Sequence, residues 1–227
     1  MLFGIMNSIG DNIISLKQVI PSGVKLVAVS KTKPVSDILE AYNTGHKIFG
    51  ENRAGELLSK KELLPEDIEW HMIGHLQSNK VKYIVPFIRL VHSVDSFRLL
   101  KTINNEALKI KRVVDCLLQF HIATEETKFG FSIDEARVMI GSDGFSQLGS
   151  VRICGVMGMA TFTENNDLVR KEFRTLAGYF RMLKESYFAS SPGFSEISMG
   201  MSGDFRIAIE EGSTMVRIGS LIFGERK

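Results

Sequence analysis

The chain has 227 residues, 44% of them apolar, and a formal net charge of +2. This length suits an α/β barrel of ~200–250 residues, and the apolar fraction supplies a substantial core. The small net charge, with cations scattered among acids, excludes a nucleic-acid-binding tract and a polybasic membrane anchor. No segment approaches the ~20 consecutive apolar residues of a membrane span, and residues 1–15 lack a signal-peptide pattern. Because Cys116 and Cys154 are too few for a disulfide framework, we expect a cytoplasmic protein.

The apolar pattern predicts a leading helix followed by alternating strands and helices. Apolar spacing over residues 5–19 predicts the leading helix. Strands are expected at 25–31, 47–51, 69–75, 90–94, 113–122, 152–159, 195–199 and 215–219. Helices are expected near 35–44, 53–63, 78–85, 96–110, 132–141, 166–188 and 203–211. This alternation favours a parallel sheet, and eight units in this length favour a single (β/α)8 TIM-type barrel over residues 1–227, without a second β-domain.

An open, doubly wound α/β sheet is the alternative that periodicity alone leaves open. No glycine-rich dinucleotide-binding fingerprint follows the first strand, which favours the barrel. Residues 142–150 and 190–193 are polar and contain glycine, so we expect them to be simple loops.

Lys31 is the most informative residue of the chain because it closes the apolar strand at 25–31. A buried, unpaired ammonium group is costly, so such a lysine tends to lose its proton or to acquire a specific partner. A neutral lysine amine is a nucleophile that can form a Schiff base with an aldehyde. The sequence therefore indicates a carbonyl cofactor or substrate at this strand end.

The last two strand ends have the features of a phosphate site. The segment from Ser198 to Asp204 combines small residues with Ser202, which we expect to cap the following helix. Gly219 and Ser220 end the last strand and can open a short terminal helix. Loops after strands seven and eight hold phosphate in many barrels, although either loop alone also reads as an ordinary glycine turn.

Arg217 lies inside the last apolar strand, where a permanently charged guanidinium needs an acceptor. Either a ligand ring nitrogen or an internal carboxylate would satisfy it. His71 and His75 have a zinc-like spacing, but they lie on a predicted strand without cysteine or carboxylate partners, so we expect no metal site. Met157 and Met199 lie near strand ends and are candidates for the pocket, whereas Phe162 and Phe194 are expected to pack in the core or in loops.

These segments resemble the pyridoxal-phosphate homeostasis protein family, whose members look like the barrel domain of alanine racemase standing alone. The matching segments run in order over nearly the whole chain, at residues 27–34, 49–52, 71–80, 91–96, 155–157, 198–202 and 213–219. The resemblance implies that Lys31 holds pyridoxal 5′-phosphate (PLP) as a Schiff base. It further implies that Ser198, Ser202, Gly219 and Ser220 hold the phosphate, that Arg217 faces the pyridine nitrogen, and that Asn52, His75, Met157 and Met199 line the pocket.

The resemblance implies a role in vitamin B6 and amino-acid homeostasis, without an established catalytic turnover. An arginine opposite the pyridine nitrogen keeps that nitrogen largely unprotonated, which weakens the ring as an electron sink. We therefore expect a PLP-binding carrier or regulatory protein in which a free amino acid can replace Lys31 on the cofactor aldehyde. The small net charge of a lone barrel leads us to expect a monomer. The alternatives are a PLP enzyme, such as a weak amino-acid racemase, and a barrel enzyme that forms a lysine imine with a phosphorylated metabolite.

Overall fold

Eight parallel strands close into a barrel in this computed structural model, which describes residues 8–124 and 129–225. The strands are β1 (Lys25–Val29), β2 (Ile48–Glu51), β3 (Glu69–Met72), β4 (Leu90–Val94), β5 (Val114–Phe120), β6 (Val151–Gly158), β7 (Glu196–Ser198) and β8 (Met215–Ile218). They follow one another in chain order, and β8 pairs with β1, where Arg217 lies opposite Val27. This closure confirms the predicted (β/α)8 barrel and excludes the open sheet.

Helices follow the strands around the outside of the barrel. They are α1 (Ile9–Val19), α2 (Val35–Asn43), α3 (Ala54–Lys61), α4 (Val81–Ile84), α5 (Phe97–Lys109), α6 (Ile133–Ile140), α7 (Asp143–Ser146), α8 (Asn166–Ser186), α9 (Phe205–Glu210) and α10 (Ser220–Phe223). Local sequence explains their ends: Ser8 and Asp11 form a capping box at the start of α1, and the Ser96 hydroxyl caps α5. In α5, Leu99, Ile103 and Ala107 are buried at helical spacing.

The apolar core has two parts, because alternate residues of each strand face opposite sides of the barrel wall. The larger part fills the layer between the strands and the helices, and it includes Phe49, Phe173 and Phe194. The smaller part lies inside the barrel and consists of Val27, Leu90, Leu117, Cys154, Met157 and Met215. Buried polar side chains also lie in the interior, among them His71, His92, Ser198 and Arg217.

The structure corrects several boundaries. The predicted loop at 142–150 contains α7, because the Ser142 hydroxyl accepts from the Phe145 amide and caps a short helix. Of the two expected locations for Phe162, the structure shows the loop, where the residue is 97% exposed. The leading helix begins at Ile9, and positions 5–7 of the prediction lie outside the described residues.

Residues 8–124 and 129–225 contain neither a membrane-spanning helix nor a metal-binding cluster. None of the helices there has the length and apolar character needed to cross a bilayer. The same residues contain no group of three histidine, cysteine or acidic side chains that could hold a metal ion.

Candidate functional site

Lys31 lies two residues after β1, on a tight turn at the carboxyl end of the barrel. Thr32 has a φ of 65°, a left-handed conformation that a β-branched residue rarely adopts, and the Lys33 amide donates to the Ser30 carbonyl at 3.0 Å. Lys33 itself extends to the chain end, where its Nζ donates to the Phe223 carbonyl at 2.7 Å. Lys31 is therefore the lysine that this turn places at the barrel mouth.

A buried ion-pair network fixes the residues on both sides of Lys31. Lys60 Nζ donates to Glu51 Oε1 at 2.8 Å, to Glu56 Oε1 at 2.6 Å and to the Ser30 carbonyl at 2.8 Å. The Ser30 hydroxyl also donates to Glu51 Oε1 at 2.6 Å, and Glu56 Oε1 accepts from the Thr32 amide at 2.5 Å. Because Ser30 and Thr32 are both held, the backbone at Lys31 has little freedom.

Two oxygen atoms at the end of β2 lack hydrogen-bond partners. Burial raises the pKa of Glu51, and the hydrogen bonds from Lys60 and Ser30 offset only part of that rise. Within the described ranges, Glu51 Oε2 and the neighbouring Asn52 Oδ1 are buried without a partner. Buried acceptors are rarely left unpaired, so the end of β2 is a candidate place for a ligand that donates hydrogen bonds to these two oxygens.

The loops after β7 and β8 meet and leave open space between small residues. Gly200 has a φ of +95°, and a Cβ there would lie 2.6 Å from the Ala208 Cβ, so only glycine fits. The Ser202 hydroxyl accepts from the Gly219 amide at 3.3 Å, which joins the two loops. A Cβ at Gly203 would meet nothing within 4 Å. Ser202 does not cap α9 as predicted, because that helix begins only after Asp204.

Arg217 is buried inside the barrel without an ion-pair partner among the described residues. Its Nη1 donates to the Ser198 hydroxyl at 2.7 Å, and its Nη2 donates to the Gly158 carbonyl at 3.1 Å. Burial lowers the pKa of Arg217 to about 10, an effect that the charge of Asp204 partly offsets. The sequence allowed an internal carboxylate as the partner of Arg217, but no carboxylate of the described residues forms an ion pair with it. Its two hydrogen bonds use two of the five guanidinium N–H donors.

The other predicted residues divide between the pocket and its surroundings. Met157 lies in the barrel interior on β6, next to Ser198 on β7. His75 lies at the exposed rim, where its Nδ1 is 2.9 Å from Asp95 Oδ2 and its ring stacks on Phe129 at 4.7 Å. Ser220 is exposed at the start of α10.

The side chains of two predicted site residues, Met199 and Ser198, lie away from the loops after β7 and β8. Met199 is buried in the layer between the barrel and the helices, because strand alternation turns its side chain away from the interior. The Ser198 hydroxyl is fully buried and bonds to Arg217 and to His92 Nδ1, so both of its hydrogen bonds lie in the barrel interior.

Sequence reasoning missed His92 and gave His71 no functional role. His92 Nε2 lies 2.9 Å from His71 Nδ1, so the two rings connect Ser198 on β7 to β3. Burial lowers the pKa of His71 to about 3 and that of His92 well below its usual value. Both histidines lie within the buried run of their strands, and a polar residue within a buried strand is the signal in the sequence that could have identified them.

Comparison with known proteins is consistent with this geometry. Residues 6–227 match the family model of the alanine racemase N-terminal domain. A pyridoxal phosphate homeostasis protein of Aquifex aeolicus is 43% identical over 204 residues, which cover 89% of this chain and 87% of that protein. The chain belongs to the pyridoxal phosphate homeostasis protein family.

Two solved structures of one protein have the same fold as this chain. PipY of Synechococcus elongatus, solved with PLP bound, is 33% identical and superposes with a TM-score of 0.87 over 95% of this chain and 100% of that chain. PipY solved without PLP gives a TM-score of 0.89 with the same coverage. The family membership predicted from the sequence is thereby confirmed.

Replacing Lys60 by methionine tests the network beside Lys31. We expect Lys60→Met to lower the free energy of unfolding by about 3 kcal/mol, because Glu51 is left as an uncompensated buried charge. The raised pKa of Glu51 makes this loss depend on pH. In the folded variant Glu51 binds its proton more tightly than in the unfolded chain. The loss of stability should therefore be small below pH 4.5, the ordinary pKa of a glutamate, and should grow as pH rises above that value.

Denaturant unfolding at several pH values measures this effect. Lys61→Met removes a lysine from the same helix that is not part of the network and should change stability by about 0.5 kcal/mol or less. Equal losses in the two variants, or a loss in Lys60→Met that does not change with pH, would contradict the account.

Proposed function

We propose that this chain binds PLP at the carboxyl end of the barrel and acts in vitamin B6 and amino-acid homeostasis. The observation that carries the proposal is Arg217, a buried cation that lacks an ion-pair partner in the described chain. Its guanidinium bonds to Gly158 and Ser198, the last residues of β6 and β7, at the end of the barrel where Lys31 follows β1. Relatives named for PLP homeostasis, and PipY solved with PLP bound, support this choice of ligand.

The residues at the barrel mouth fit the three functional parts of PLP. The cofactor supplies an aldehyde, which condenses with a neutral amine to give a Schiff base and water. Lys31 provides this amine on a turn that the Lys60 network holds in place. The loops at Gly200–Gly203 and Gly219–Ser220 offer space and amide donors for a phosphate, and Ser202 joins the two loops.

Arg217 makes the site better suited to holding the cofactor than to catalysis. A guanidinium group stays protonated at neutral pH and can only donate, so it satisfies an unprotonated pyridine nitrogen. An unprotonated ring withdraws electrons weakly. Arg217 therefore favours a carrier or regulatory role over rapid turnover.

The exchange partners and the setting follow from the same features. We infer that free amino acids exchange with Lys31 for the cofactor aldehyde, because Lys31 is only half-buried on its turn. The two cysteines are buried free thiols, which suits a protein of the reducing cytoplasm, and we propose that it acts there as a monomer.

Lys31→Ala should fold like the wild type and lose covalent PLP. Borohydride reduction of the loaded wild-type protein, followed by peptide mass spectrometry, should find the fixed cofactor on Lys31. The matched variant Lys33→Ala should keep this label, because Lys33 Nζ is bonded to the carbonyls of Phe223 and Gly224. A reduced adduct that persists in Lys31→Ala would show that a different lysine is the anchor.

Ser202→Ala should weaken PLP binding by about 1.5–3 kcal/mol, the worth of a hydrogen bond to a charged group. Equilibrium titration followed by absorbance measures the affinity. Ser195→Ala, which changes an exposed serine just before β7 at the other end of the barrel, is the control and should bind like the wild type. An affinity of Ser202→Ala equal to that of the control would remove Ser202 from the phosphate site.

A further inference from the structure

A chain of buried hydrogen bonds crosses the barrel interior from Arg217 to His71. Arg217 Nη1 lies 2.7 Å from Ser198 Oγ, Ser198 Oγ lies 2.9 Å from His92 Nδ1, and His92 Nε2 lies 2.9 Å from His71 Nδ1. The exposed fractions are 3% for Arg217 and His71 and 0% for Ser198 and His92. These four residues, on β8, β7, β4 and β3, are called the histidine relay below.

In the histidine relay each residue donates a hydrogen bond to the next one, from Arg217 to His71. A guanidinium can only donate, so Ser198 Oγ accepts from Arg217 and its own proton is free to go to His92 Nδ1. Because His92 is neutral, its Nε2 then carries the proton and donates to His71 Nδ1. The reverse assignment would leave the Ser198 proton without an acceptor at a fully buried position, which is costly.

The far end of the relay reaches a cavity at the amino-terminal end of the barrel. This cavity has a volume of about 370 Å³, and His71 lies in its wall together with Lys25, Glu69 and Glu196. Lys25 pairs with Glu196 there at 2.5 Å. In the assigned tautomer, His71 carries its remaining proton on Nε2, the ring nitrogen that the relay does not use.

The relay anchors Arg217 without cancelling its charge. A carboxylate partner would hold the guanidinium and also neutralise it, whereas a hydroxyl backed by two neutral imidazoles only accepts a hydrogen bond. Donation by Ser198 to His92 makes the serine oxygen a stronger acceptor, because hydrogen bonds in a chain polarise one another. The relay itself therefore leaves the guanidinium charge unneutralised.

We propose that His92 and His71 are positioning residues of the cofactor site, and that they hold Arg217 through Ser198 so that its charge is directed to the pyridine nitrogen. This inference rests on the proposed PLP site, although neither histidine need touch the cofactor. The proposal gives a role to His71 and His92, two buried polar side chains that packing of the barrel interior alone does not require.

The first test uses the cofactor-free protein and does not depend on PLP. Nitrogen–proton correlation spectra of the histidine side chains at pH 7 should show the Nε2–H tautomer for both His71 and His92, assigned with His71→Leu and His92→Leu. In His92→Leu, the Nδ1 resonance of His71 should shift because its donor is gone. A protonated Nδ1 on either ring would overturn the proposal.

The second test reads the relay in the PLP-loaded protein. His92→Leu should shift the visible absorption maximum of the bound cofactor and weaken its affinity about tenfold, since the hydrogen bond between Ser198 and His92 is lost and Ser198 then holds Arg217 less firmly. His46→Leu is the matched control, because His46 is also a buried histidine of lowered pKa, and its Nε2 bonds only to the Ile48 carbonyl. This control should keep the wild-type spectrum and affinity.

Two further comparisons keep the outcomes distinct. His92→Gln retains an acceptor and a donor and should recover the wild-type spectrum. His92→Met, which removes both functions, replaces His92→Leu with the same expected shift if the leucine variant does not fold. A wild-type spectrum and affinity in His92→Leu would refute the positioning role. If the wild-type protein itself takes up no PLP, the proposed function fails, while the tautomers still decide whether the relay exists.

Discussion

A positive charge held inside the barrel, without a carboxylate partner in the described chain, is the constraint on which the site depends. Removing a guanidinium from water costs several kcal/mol unless strong hydrogen bonds replace the lost hydration. Arg217 obtains two of these from Ser198 and Gly158, both neutral acceptors. Its remaining N–H donors are able to bind a further acceptor at the carboxyl end of the barrel, where the ring nitrogen of PLP would lie in the proposed site.

Closure of the barrel relates this charge to the candidate anchor. Because β8 pairs with β1, Arg217 lies opposite Val27, four residues before Lys31 on the neighbouring strand. The Lys60 network then holds Ser30 and Thr32, so the position of Lys31 relative to Arg217 follows from strand pairing and one buried ion cluster. The topology thus places Arg217 on β8 and Lys31 on the turn that follows the neighbouring strand β1.

The sequence predicts the fold well because strand and helix periods are local properties. All eight strands and the main helices lie where apolar spacing places them, and the residues at strand ends include Lys31 and Arg217. The errors concern what meets across the barrel. Whether Ser198 faces a phosphate loop or Arg217, and whether Met199 points inward, depend on strand alternation combined with barrel closure. The contact between His92 and His71 also joins positions that no spacing rule connects.

A crystal structure of the PLP-loaded protein tests the central claim most directly. The account predicts density that is continuous from Lys31 Nζ to the cofactor, a phosphate between the Ser202 and Gly219 loops, and a ring nitrogen within about 3.2 Å of the Arg217 guanidinium. PLP attached to another lysine, or Arg217 bound to the phosphate in place of the ring, would contradict it.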